Sequence, residues 1–137
     1  IFTTLVIGGV VATGMGVLLG WWFGAEHMIL MTMAPKSVTS PIAMLVAEQI
    51  GGVAALAAVF VLITGVIGAI FGPALLTRLG VYSPEARGMA LGMTAHAVGT
   101  AVAMQESDEC GAFAALAMSL MGVATAVFLP LAVSMVV

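Results

Sequence analysis

Charge is what this chain has least of. Three Lys or Arg and six Asp or Glu are spread over 137 residues, 7% charged against about 25% in ordinary soluble domains. With so few polar side chains the chain cannot cover its apolar residues, 63% of the total, and present a wettable surface. That excludes a soluble globular domain and leaves a membrane protein. The single cysteine, Cys110, excludes an internal disulfide and any cysteine-cluster metal site, and reads as a small residue at a helix start. No basic stripe with interleaved aromatics is present, which excludes nucleic acid as a partner. The two histidines and the scattered carboxylates lack metal-ligand spacing. No nucleophile–base pattern or phosphate loop appears, so neither an enzyme, a metal nor a cofactor is expected. The eleven methionines show no repeated Met-x-x-Met along one face and read as packing filler. An initiator Met, a basic n-region and a cleavage motif are all missing before the run that opens at Ile1. It therefore reads as a helix of a longer protein rather than a signal peptide.

What is present is apolar sequence in long runs. A spanning helix needs about 20 apolar residues. Five segments qualify: Ile1 to Trp22, Met28 to Val46, Val53 to Leu76, Glu85 to Met104 and Ala112 to Val137. The fold class is an all-α polytopic membrane protein forming a single transmembrane domain over residues 1–137. Trp21-Trp22-Phe23 suits an interface anchor. Pro35 and Pro41 break the second segment, Pro73 stops the third, and the fourth breaks near Gly99. The fifth carries Gly122 and Pro130. Pro84-Glu85 reads as a helix start with a favourable charge in its first turn. Arg78 and Arg87 bracket the Thr77 to Glu85 connection, which the positive-inside rule puts on the cytoplasmic side. The acidic run 106–109 must lie outside hydrocarbon and reads as a solvated connection. Glu26 and His27 read as an interface pair at a helix boundary.

Two polar stretches interrupt the apolar runs and align at an offset of 60. Lys36-Ser37-Val38-Thr39-Ser40-Pro41-Ile42-Ala43-Met44 matches His96-Ala97-Val98-Gly99-Thr100-Ala101-Val102-Ala103-Met104. Ala54-Ala55-Leu56-Ala57 likewise matches Ala114-Ala115-Leu116-Ala117. We read an internal repeat, with repeat 1 about 1–60 and repeat 2 about 61–137. If the broken segments span, the repeats run parallel. If each dips in and returns to one side, the repeats are inverted. Broken helices in lipid are tolerated only where protein or a water-filled cavity satisfies the freed backbone, and such pairs mark transporter substrate sites.

A Lys at the bilayer centre costs about 2.5–3.5 kcal/mol, so Lys36 is paired, snorkelled or functional. In the unwound stretch its ammonium, the Ser37, Thr39 and Ser40 hydroxyls and free N–H groups can converge on a small anion. His96 can accept or donate a hydrogen bond and titrates near neutral pH, so it suits a carboxylate or a coupled proton. Gly99 and Thr100 complete the second lip.

These residues carry a resemblance. Ala34-Pro35-Lys36-Ser37-Val38-Thr39-Ser40-Pro41-Ile42-Ala43, Ile50-Gly51-Gly52, Ile63-Thr64-Gly65-Val66-Ile67-Gly68-Ala69, Ala86-Arg87-Gly88-Met89-Ala90-Leu91-Gly92 and His96-Ala97-Val98-Gly99-Thr100-Ala101 resemble the LrgB/CidB family in order and spacing. Family members have further N-terminal helices, so the chain resembles their C-terminal portion. The resemblance implies a multi-pass protein of the bacterial inner (plasma) membrane. It also implies either of two functions. One is transport of small monocarboxylates of the pyruvate, glycolate or glycerate type. The other is antiholin-like or holin-like regulation of murein hydrolases and lysis, by an oligomeric pore or pore regulator. Expected partners are the lipid bilayer, a small carboxylate substrate, a small LrgA/CidA-type membrane protein and further copies of the chain. Two positions depart from the family pattern. Ala95 stands where Ser usually precedes the histidine, and Val102 where Arg usually follows the Gly-Thr-Ala triplet. Lys36 is then the only permanent cation expected at the site.

Overall fold

The computed structural model describes residues 2–135, and they are all helix and connection. Six helices follow in order: α1 (Phe2–Trp22), α2 (His27–Met33), α3 (Ser40–Gln49), α4 (Ala54–Arg78), α5 (Pro84–Glu106) and α6 (Asp108–Ser134). Three of them, α1, α4 and α6, are long and apolar enough to cross a membrane. Most of their large apolar side chains face outward, among them Val10, Leu18, Ile67, Phe71 and Val127. Outward Leu, Ile and Phe in such density suit a lipid solvent rather than water. Ile1, Val136 and Val137, the outermost residues expected in the first and fifth segments, lie outside the described residues.

Local chemistry sets the boundaries. α1, α3 and α4 each end on a glycine with positive φ: Gly24, Gly51 and Gly80. In each case the next N–H reaches back to an orphan carbonyl, as Val81 does to Leu76. Only glycine adopts that left-handed turn without a Cβ penalty. α5 and α6 begin on serine caps, with Ser83 accepting from Ala86 N and Ser107 from Cys110 N. Asp108 and Glu109 lie in the first turn of α6, where a negative charge favours the helix dipole. The acidic run is therefore mostly helix terminus, with Ser107 the one non-helical residue between α5 and α6. Cys110 is buried at that helix start, as its size suggests.

The proline read as ending the third segment does not stop its helix. α4 continues through Pro73 to Arg78, and α6 continues through Pro130. The Pro73 carbonyl accepts from Thr77 Oγ1 and from Arg87 Nη2, which ties this turn of α4 to α5. Pro41 sits in the first turn of α3, where its missing N–H costs nothing.

α5 is not straight. His96 has φ 41° and ψ −126°, and the chain reverses there. Arg87 and Glu106, nineteen residues apart, form an ion pair at 2.6 Å. A straight helix would separate them by about 28 Å. Leu91 and Ala103 share one core cluster, and a Cβ on Gly99 would strike the Leu91 carbonyl. Residues 84–95 and 97–106 are thus two antiparallel arms meeting at His96. The break falls three residues before the expected Gly99. Gly99 is needed inside the second arm, where its bare Cα lets the arms close.

Residues 27–49 also leave and return at one end. Leu30 and Met33 of α2 pack at Gly20 near the end of α1, and the Lys36 side chain reaches Gly16. α3 then runs back beside α4, so that Val53 N bonds Thr32 Oγ1 at 2.9 Å. The ends of α1 and α6 and the start of α4 share this end of the molecule. Val17, Ala34, Val46, Ile50, Leu129 and Val133 cluster there. The end of α4, both ends of α5 and the start of α6 occupy the other. α5 packs most extensively on α6 and next on α4. Gly88 and Gly92 face the α6 backbone so closely that a Cβ would meet the Cys110 and Ala114 carbonyls.

Candidate functional site

Both polar stretches reach the same turn of α4. Val38, 2% exposed, shares a core cluster with Ala57 and Val61 of α4, and the Val61 carbonyl lies 3.0 Å from His96 Nε2. The sequence brings these together by two different turns. The first stretch spends residues 34–39 on irregular backbone, with Lys36 N bonded to Met33 O and Val38 N to Pro35 O. The second makes its reversal at His96 alone.

In the first stretch, Lys36 is half-buried and its Nζ donates to Ser37 Oγ at 3.3 Å. Ser37 is 5% exposed. Thr39 and Ser40 are half-buried and their hydroxyls make no hydrogen bond with the described residues. Thr39 is the N-cap of α3, yet its side chain makes no cap bond, which leaves the Ser40 and Ile42 N–H groups uncapped, Pro41 having none. Residues 36–42 thus carry one ammonium, two unpartnered hydroxyls and uncapped N–H groups, all donors of the kind an anion uses.

In the second stretch, His96 is 3% exposed and pairs with Val61 O, while its backbone sits in a region that favours glycine. Holding a β-carbon there costs about 1–3 kcal/mol, the kind of strain concentrated at working sites. Thr100 Oγ1 donates to His96 O at 2.8 Å and lies 3.8 Å from Met118 Sδ. Its hydroxyl therefore braces the reversal. Gly99 serves arm packing, as above. Among the described residues no hydrogen bond joins Lys36 to His96: the lysine points toward α1 and the histidine toward α4. An open cleft of about 620 Å³ lies nearby, lined by Thr4, Ser83, Glu85, Met89, Met93 and Phe113 among others. It runs from the connection end along the first arm of α5 rather than between Lys36 and His96.

The sequence reading missed the clamp at the mouth of the α5 hairpin. Arg87 Nε and Nη2 donate to both Glu106 carboxylate oxygens, Nη1 reaches Val81 O and Thr77 Oγ1, and Nη2 reaches Pro73 O. One guanidinium ties both arms, the connection and the end of α4. It holds the Glu106 carboxyl below the usual carboxylate range, chiefly through the Arg87 hydrogen bond. The near-equal spacing of Arg87 and Glu106 about His96 is the signal that could have revealed the pair. Val61 and Gly65, against which His96 lies, carried no such signal. Glu26 and His27 form no ion pair: Arg87 with Glu106 is the one found among the described residues. No group of metal-ligating side chains gathers among the described residues.

An apolar, all-helical membrane protein with two polar helix breaks packed on one spanning-length helix is the class these features define. The chain belongs to the LrgB-like family, whose model matches residues 1–135. It is 36% identical over 130 residues to an uncharacterized protein of Haemophilus influenzae, covering 95% of this chain and 56% of that one. It is 36% identical to the uncharacterized protein YxaC of Bacillus subtilis, covering 93% and 58%. It is also 36% identical over 108 residues to the holin-like protein CidB of Staphylococcus epidermidis, covering 79% and 47%. The chain thus spans about half the length of these relatives. No solved structure matches it.

Proposed function

We propose that the chain forms the solute-binding part of a membrane carrier for small monocarboxylates such as pyruvate, glycolate or glycerate. The observation that carries this reading is the meeting of two polar stretches, from opposite ends of the molecule, at Val61 of α4. In the bilayer α1, α4 and α6 span, and residues 27–49 and 84–106 dip in from opposite faces and return. The α5 arms, about 18 and 15 Å long, match half of a ~30 Å hydrocarbon core, which supports a reversal near mid-depth. One crossing then separates equivalent points of the repeat, which is the inverted case, with repeat 1 about 1–60 and repeat 2 about 61–137. Lys36, Ser37, Thr39 and Ser40 bind the carboxylate, with His96 on the far side of the solute and Gly99 and Thr100 supporting the reversal that presents it. The arginines at the α4–α5 end make that end cytoplasmic, and the bacterial relatives support an inner-membrane setting.

The complete protein in liposomes is expected to take up labelled pyruvate or glycolate saturably, and Lys36→Ala to lower uptake at least tenfold. Unchanged uptake by Lys36→Ala removes the lysine from the site.

A second reading, an oligomeric pore or a pore regulator working with a small LrgA/CidA-type partner, is favoured by the holin-like name of the staphylococcal relative. It predicts dye leakage that no carboxylate competes with. Saturable, competable flux counts against it.

A further inference from the structure

The environment of His96 fixes which of its ring nitrogens carries the proton. Nε2 lies 3.0 Å from the Val61 carbonyl oxygen, which can only accept, so Nε2 carries the proton. The helix ladder uses one lone pair of that oxygen, and the imidazole takes the other. The fit depends on Gly65, one turn further along α4. A Cβ there would stand 2.5 Å from His96 Cε1 and 3.0 Å from Nε2. No side chain larger than hydrogen lets the ring lie flat enough on α4 to reach Val61.

The other nitrogen is left open. Nδ1 makes no hydrogen bond with the described residues. Yet among those residues no side-chain nitrogen or oxygen is both buried and unpartnered. The small exposure that His96 retains must therefore include Nδ1. In the neutral ring, with its proton on Nε2, Nδ1 is a bare acceptor. A bare acceptor repels a carboxylate oxygen and attracts a hydroxyl. The donors for a carboxylate lie in the other stretch, at Lys36 and the uncapped start of α3.

We propose that Val61 and Gly65 are positioning residues that lock His96 in its Nε2–H tautomer. Nδ1 is then the acceptor for a hydroxyl donor on the solute, and the solute's carboxylate lies toward Lys36. The solute half rests on the carrier reading; the tautomer does not. The site then prefers a 2-hydroxy acid such as glycolate both to the same acid without its hydroxyl and to pyruvate, whose keto oxygen offers no proton. A pocket with a polar group placed for a substrate hydroxyl rejects the analogue lacking it, because that group is left unpaired.

The test is nitrogen-15 NMR of the complete protein in bilayers, with labelled histidine and His96→Gln to assign the resonances. The expected spectrum of the neutral ring has a protonated Nε2 and a non-protonated Nδ1. A protonated Nδ1 in the neutral ring overturns the proposal whatever the protein transports. Glycolate is expected to shift the Nδ1 resonance and acetate to leave it in place. Equal shifts with both, or none with either, overturn the hydroxyl contact while leaving the tautomer standing. Gly65→Ala is expected to mix the tautomers and to reduce glycolate-over-acetate discrimination at least fivefold. If Gly65→Ala does not fold, the wild-type spectrum alone decides. A folded Gly65→Ala protein with an unchanged spectrum removes Gly65 from the mechanism.

Discussion

Arg87 and Glu106 form a two-pronged ion pair across the mouth of the α5 hairpin, with His96 almost midway between them in sequence. The pair is the lock of a reversal that hydropathy alone reads as one continuous helix. Exposed pairs contribute about 0.2–1 kcal/mol, but Arg87 also satisfies carbonyls of Val81 and Pro73. Arg87→Ala is therefore expected to lower the detergent Tm more than Glu106→Ala, and Arg87→Lys to recover only part of the loss. A double-mutant cycle in Tm checks this. Equal losses for both alanine variants would confine Arg87 to its carboxylate partner.

The same pair sets an acid limit. The Arg87 hydrogen bond depresses the Glu106 carboxyl, so its stabilisation is fully present above the unfolded carboxylate value. It is lost as pH falls through the lower folded value. The stability gap between wild type and Glu106→Gln should stay constant from pH 7 to 5 and close below about pH 4. A gap that closes near neutral pH would assign the effect to another group.

At His96 the usual helix ranking should invert. Inside a helix Ala is favoured over Gly by about 1 kcal/mol. At φ 41° a Cβ is strained and Gly is not. His96→Gly is expected to be at least about 1 kcal/mol more stable than His96→Ala, while both lose uptake. Thermal unfolding of the two variants, side by side, measures the difference; a more stable alanine variant contradicts a strained reversal.

Glycines should divide by what faces them. A Cβ on Gly92 would enter the Ala114 backbone, whereas one on Gly14 meets nothing within 4 Å. Gly92→Ala is expected to destabilise by several kcal/mol, as overpacking against backbone that cannot move aside does. Gly14→Ala should be neutral or stabilising by up to about 1 kcal/mol. Expression level and Tm of the two variants report the contrast.

Hydropathy made α1, α4 and α6 legible, because apolar length is a property of each segment by itself. Pro35 and Pro41 made the first break legible for the same local reason. The second break was visible, but Gly99 drew attention from His96. Glycine marks a freed backbone only where nothing packs on it, and here Leu91 packs on Gly99. Pro73 looked like a stop, yet α4 runs through it to Arg78, as a helix surrounded by protein and lipid can. The Val61–His96 contact joins residues thirty-five apart and has no local sign at all. The candidate residues were thus readable as types, and the division that turns Lys36 toward α1 and His96 toward α4 was not.

The two reversals differ mechanically. The first spreads its bend over residues 34–39, while the second gathers it into one residue. An arm pivoting on a single joint is a lever: turning residues 97–106, ~15 Å long, by about 10° at His96 carries the far end roughly 3 Å. That is enough to part Arg87 from Glu106. The pivot and the latch therefore sit at opposite ends of one arm, so a small torque at His96 is felt most strongly at the Glu106 carboxylate.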